Sequence, residues 1–210
     1  MPLPTPENRL TIAQFEEKLM DGDRWVELVE GRFVRLSPPD DAHGDVVRNL
    51  SRVLAAYMKR SDDTYACFEL PLIIKREPPT VRSPAVCCFR FHGEGRFAET
   101  DKLMTDSCPI LVIEVASTSE RREAMSDRVQ AYLAWGVAAV WVIDPVTLHV
   151  HQFRGRNSSD MLKEPQVLLG HAELPGFAMP IGDLFRQPVW AKAKPPVISD
   201  LPDSGDPSLN

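Results

Sequence analysis

No apolar run in this 210-residue chain approaches the roughly 20 residues needed to span a bilayer, and its first residues form neither a basic nor an apolar leader. No membrane-spanning helix is expected, and a cytoplasmic protein is. Cysteine is scarce. Cys67, Cys87, Cys88 and Cys108 lack the paired CxxC spacing of a zinc site, and three of them fall in or beside predicted strands, so reduced and mostly buried thiols are expected. Positive charge is not in excess either: the formal net charge is −6 and the pI is near 5.4. That excludes a protein that coats nucleic acid non-specifically, while a local basic cleft stays open. No internal repeat is visible. What remains is 43% hydrophobic and 26% charged residues, an ordinary globular balance with enough length for one domain and its core.

The stretch that organises the chain is PILVIEVA, Pro109 to Ala116. It reads as a central strand buried on both faces. Glu114 breaks the apolar pattern, and a carboxylate there is costly to desolvate unless a cation, an Arg or Lys, or hydrogen bonds compensate it. It is therefore either one half of an ion pair or a candidate site residue.

Around it, TIAQFEEKLM (Thr11 to Met20) spaces Ile12, Phe15 and Leu19 along one helical face, with Thr11 as N-cap. WVELVEGRFVRLS reads as two strands turning at Glu30-Gly31. Glu27 lies on the first, and by period alone a lone strand Glu is expected in solvent. Residues 44–59 carry the strongest helical stripe, capped by Asp40 or Asp41 with His43 in the first turn. One strand is expected over Tyr65 to Lys75, then a Pro-rich break, a strand over Pro84 to Phe91, and a loop at Gly93 and Gly95. After the central strand, Ser117 and Glu120 form an SxxE capping box for a helix running to Trp135, with Arg128 along its apolar face and Gly136 ending it. AVWVID is a further buried strand, and TLHVHQF an alternating one with Leu148 and Val150. Two weak strands and PIGDLF close the fold. One domain is expected over residues 1–187, followed by a disordered Pro/Ser/Asp-rich tail over 188–210. This order fits an α/β fold with a mixed central sheet flanked by helices.

Several blocks in order carry a family resemblance: WVELVEGRFVRLSPP, His43, VRSPAVCCF, LVIEVASTS, QAYLAWGVAAVWVIDP, then LPGF and DLF. The chain resembles the Uma-two family of endonucleases in the PD-(D/E)XK superfamily over about residues 11–186. The resemblance implies a restriction-endonuclease-like core, a bacterial origin, DNA as partner, Mg²⁺ or Mn²⁺ as cofactor, and a homodimer, since nucleases that cut duplexes are commonly dimers. It matches Glu114 to the family's metal-binding Glu, and Glu27 and His43 to its early Glu and His.

Three positions depart from that pattern. The family's Pro-Asp block reads Pro84-Ala85, its helix Lys falls at Arg128 before Tyr132, and an acid one turn earlier aligns with Ala124. Ala85 offers no oxygen to a hard cation, and Arg128 keeps its charge but is a poor general base. Replacement ligands would have to come from Glu27, Glu69, His43 or Asp127. One reading is a Mg²⁺-dependent endonuclease with Glu114 and Glu27 on the metal and Arg128 on the scissile phosphate. The other is a silent relative that keeps the fold to bind DNA or protein, with Arg128 neutralising Glu114 as a buried ion pair.

Overall fold

The computed structural model describes residues 9–61, 63–91, 102–155 and 158–192. The loop expected at Gly93 and Gly95, and the tail from 193 onward, lie outside the described residues; Val189–Lys192 forms a 3₁₀ turn. In chain order the elements are α1 (Ile12–Met20), β1 (Val26–Val29), β2 (Arg32–Arg35), α2 (Asp41–Met58), β3 (Thr64–Phe68), β4 (Leu72–Lys75), β5 (Thr80–Arg82), β6 (Val86–Arg90), β7 (Leu111–Val115), α3 (Ser119–Glu123) and α4 (Met125–Trp135). Then follow β8 (Ala139–Asp144), β9 (His149–Phe153), β10 (Ser159–Leu162), β11 (Val167–Leu169), β12 (Ala178–Pro180) and α5 (Ile181–Leu184).

The centre is a six-stranded mixed sheet ordered β10-β9-β8-β7-β6-β3, in which β7 and β8 run parallel and the other neighbours antiparallel. All five β7 residues are buried, because its two faces are covered by different layers. Leu111, Ile113 and Val115 pack with Leu50 and Leu54 of α2 on one side; Val112 packs with Val129 and Tyr132 of α4 on the other. A second sheet, β2-β1-β5-β4, is backed by Phe15 of α1. Thr11 caps α1 through a capping box with Gln14, Asp40 caps α2 at the His43 amide, and Gly136 ends α4 in the left-handed region that favours glycine. No helix among the described residues is long and apolar enough to cross a membrane.

Five expectations need correction. The single strand over Tyr65 to Lys75 is two, β3 and β4, in different sheets. Glu69, at φ 53, and Pro71 turn the chain from one sheet to the other. The Pro-rich break holds a short strand, β5, which pairs with β4 and β1. The helix after the central strand is interrupted at Ala124. Its cap is Thr118, which accepts from the Arg121 amide, and not Ser117; Glu120 instead accepts from the Ser37 hydroxyl at 2.7 Å. Leu148 sits in the β8–β9 turn at φ 58 and is 52% exposed, so the alternating burial of β9 rests on Val150 and Gln152.

Candidate functional site

The break at Ala124 matters because it sets the rotation of α4 over β7. Met125, Arg128, Val129 and Tyr132 are then buried as one stripe, and the single cation in that stripe lies above the single acid of β7. Arg128 donates to Glu114 Oε1 from Nε at 2.9 Å and from Nη2 at 2.7 Å. Its Nη1 reaches across to Glu27 Oε2 of β1, also at 2.7 Å. The Tyr132 hydroxyl donates to the same Glu114 oxygen at 2.8 Å. Glu27 in turn accepts from Arg82 Nη1 and from the Ser83 amide, both at 2.8 Å. Two carboxylates thus face two guanidinium groups, and one cation joins the two sheets through α4.

This corrects the expectation for Glu27 from its period: it is fully buried, not solvated. Burial raises the Glu27 carboxyl, but Arg128, Arg82 and the Ser83 amide outweigh that and hold it below the usual carboxylate range. Burial disfavours the Arg128 charge, and the acids around it more than restore it, so it stays protonated at any ordinary pH. Burial and the neighbouring Glu114 charge push the Tyr132 hydroxyl well up, which keeps it a donor.

His43 stands apart from this network. It is 5% exposed, neither imidazole nitrogen has a hydrogen-bond partner, and it lines a cleft of about 700 Å³ that Ser83, Pro84 and Ala85 also border. Burial and the nearby Arg121 lower its pKa to about 4, with Asp40 opposing. The other candidate ligands, Glu69 and Asp127, are exposed. Among the described residues no group of three or more His, Cys, Asp or Glu side chains is placed to hold a metal ion.

The sequence matches, over residues 12–182, the Uma2 family described as "Putative restriction endonuclease". The chain belongs to the Uma2 family. Its fold is similar to the crystal structure of "a putative nuclease belonging to DUF820" from Anabaena variabilis, with a TM-score of 0.69 at 19% identity, covering 84% of this chain and 97% of that one. No curated protein matches it.

Ala85 lies just before β6. Extending the antiparallel register of Val86 with Ile113 by one residue sets Ala85 opposite Glu114. Ala85 is 5% exposed and packs into the apolar core. Arg82 and the Ser83 amide were not among the sequence candidates; the VRSPA block that holds them is the one signal that pointed to this corner. Tyr132 was legible only as an inward-facing helix residue.

Proposed function

We propose that this Uma2 protein keeps its nuclease fold as a nucleic-acid-binding scaffold in which the phosphodiester-cleaving centre has become a buried ion-pair network. The observation that carries this is the Arg128 guanidinium, 4% exposed, bridging Glu114 and Glu27. Mg²⁺ demands near-octahedral oxygen coordination and enters only where carboxylate lone pairs face open space. Here a fixed cation engages both carboxylates, and the opposing position carries a methyl group. The residues present do not fit a divalent ion. A guanidinium also cannot serve as the base that activates water.

The test is direct. In titration calorimetry the protein should show no saturable heat with Mg²⁺ or Mn²⁺, and 10 mM of either should leave Tm unchanged. A site with a Kd of about 0.1 mM would add about 2.7 kcal/mol at that concentration, a shift of several degrees. Plasmid DNA should stay intact. The double change Ala85→Asp with Arg128→Lys restores an oxygen opposite Glu114 and a cation able to exchange protons. It should bind Mg²⁺ and nick DNA, and Glu114→Ala should abolish the nicking. Metal-dependent cleavage by the wild-type protein, lost in Glu114→Ala, would overturn the proposal.

A further inference from the structure

We infer that the cleft bordering Ala85 takes an unpaired nucleic-acid strand whose bases stack on Trp25 and Phe68. This rests on the nucleic-acid-binding reading above and adds the form of the ligand. Among the described residues the two exposed aromatic side chains, Trp25 at 44% and Phe68 at 39%, both line this cleft. Isolated exposed apolar residues are ordinary, but these share one wall system with the exposed Leu103. Three cations, Arg24, Lys102 and Arg121, line the same cleft. Two acids, Asp23 and Glu69, line it as well, so the described wall carries three cations against two carboxylates. On a chain of net charge −6 that is a local reversal of sign.

Cations alone would suit the phosphates of any duplex, because phosphate contacts carry no preference for paired or unpaired bases. Exposed rings gain nothing from a duplex, whose base faces are already stacked on one another. They gain from single strands, where every base has a free face. His43 adds a second, independent pointer to a ligand. It is nine-tenths buried, lines the cleft, and neither buried ring nitrogen has a protein partner; a base edge, which offers both a donor and an acceptor, could pair with the neutral ring if the ring turns toward the cleft, whereas a phosphate could accept only from its N–H.

The experiment is fluorescence anisotropy on the full chain in EDTA. The probes are fluorescein-labelled oligo(dT) and oligo(U) of about 12 nucleotides, within the usual range of single-strand site sizes, and an oligo(dT)·oligo(dA) duplex of equal length. A single strand should bind at least tenfold tighter than the duplex, and the two strand arms assign DNA or RNA. Affinity should fall with salt at a log–log slope of about −2, from roughly 0.7 for each of three cations. Trp25→Ala and Phe68→Ala should each weaken binding roughly 5- to 150-fold, while Phe68→Tyr, which keeps the ring, should retain it. Phe68→Leu should behave like the alanine variant if stacking and not bulk is at work. Duplex binding as tight as single-strand binding, or affinity indifferent to both rings, overturns the inference and leaves the binding scaffold standing. No binding of any probe overturns both. Metal-dependent cleavage of a strand held through Trp25 and Phe68 overturns the silent-site reading alone.

Discussion

The Glu27–Arg128–Glu114 network and the cleft bordering Ala85 are neighbours built in opposite ways. In the network Arg128 bonds from all three of its nitrogens to two acids, and Tyr132, Arg82 and the Ser83 amide donate to the same carboxylates, with Arg82 Nε left unpartnered. At the cleft wall both His43 nitrogens and Arg121 Nε are buried without a partner. Paired buried charges contribute to holding elements together and resist a ligand, because any incomer must first break charged hydrogen bonds in a low dielectric. An unsatisfied buried group sits at a cost until something pairs with it. Here the two acids are the paired groups, and the unpartnered His43 ring borders the cleft.

The largest test of that contrast is Glu114→Ala. It removes the partner of two Arg128 donors and the Tyr132 hydroxyl inside a buried ion pair, so it should cost about 3–5 kcal/mol. Thermal unfolding should show a drop in Tm on the order of 10 °C. A loss of under a degree would mean the network is not a structural tie. Tyr132→Phe is the next step down. It deletes one hydrogen bond to a carboxylate and should cost about 1.5–3 kcal/mol, read from urea midpoints at constant m.

The cleft should answer to pH. The folded His43 pKa is about 4 against an ordinary 6.5, so between these values the unfolded chain takes the proton first. The stability of the neutral form is complete above pH 6.5 and drains away down to pH 4. In His43→Gln this limb should flatten, by on the order of 1 kcal/mol after allowing for solvent at the cleft mouth. An unchanged limb would place the titration elsewhere. Glu27, held low, acts in the same direction but only at more acid pH. At the small end, Phe68→Ala should leave stability within about 0.5 kcal/mol, since the ring is 39% exposed. A larger loss would make Phe68 a packing residue and weaken the contrast.

Much of the frame was legible because its signals are local. The apolar run of β7, the caps Thr11 and Asp40, the Glu30-Gly31 turn and the Gly136 stop each depend on residues a few positions apart. Errors gathered where local patterns compete. Ser117 and Thr118 both offer a hydroxyl cap, and the continuous periodicity across Ala124 hides a helix break. Over Tyr65 to Lys75 the strand-forming residues conceal a change of sheet at Glu69.

From the sequence alone follow the central strand, the acid inside it, a cation on the face of the next helix, and the absence of a carboxylate at position 85. Period and composition determine these, since a buried strand and an amphipathic helix can be recognised without knowing their partners. Only the tertiary structure decided that Glu27 is buried, because its partners Arg82 and Arg128 lie 55 and 101 residues away in sequence. The same holds for the cleft, whose rings and cations come from the residues just before β1, from β3 and α3, and from the chain before β7. Pairing of buried charges and convergence of surface groups are properties of distance in space, and no spacing along the chain encodes them.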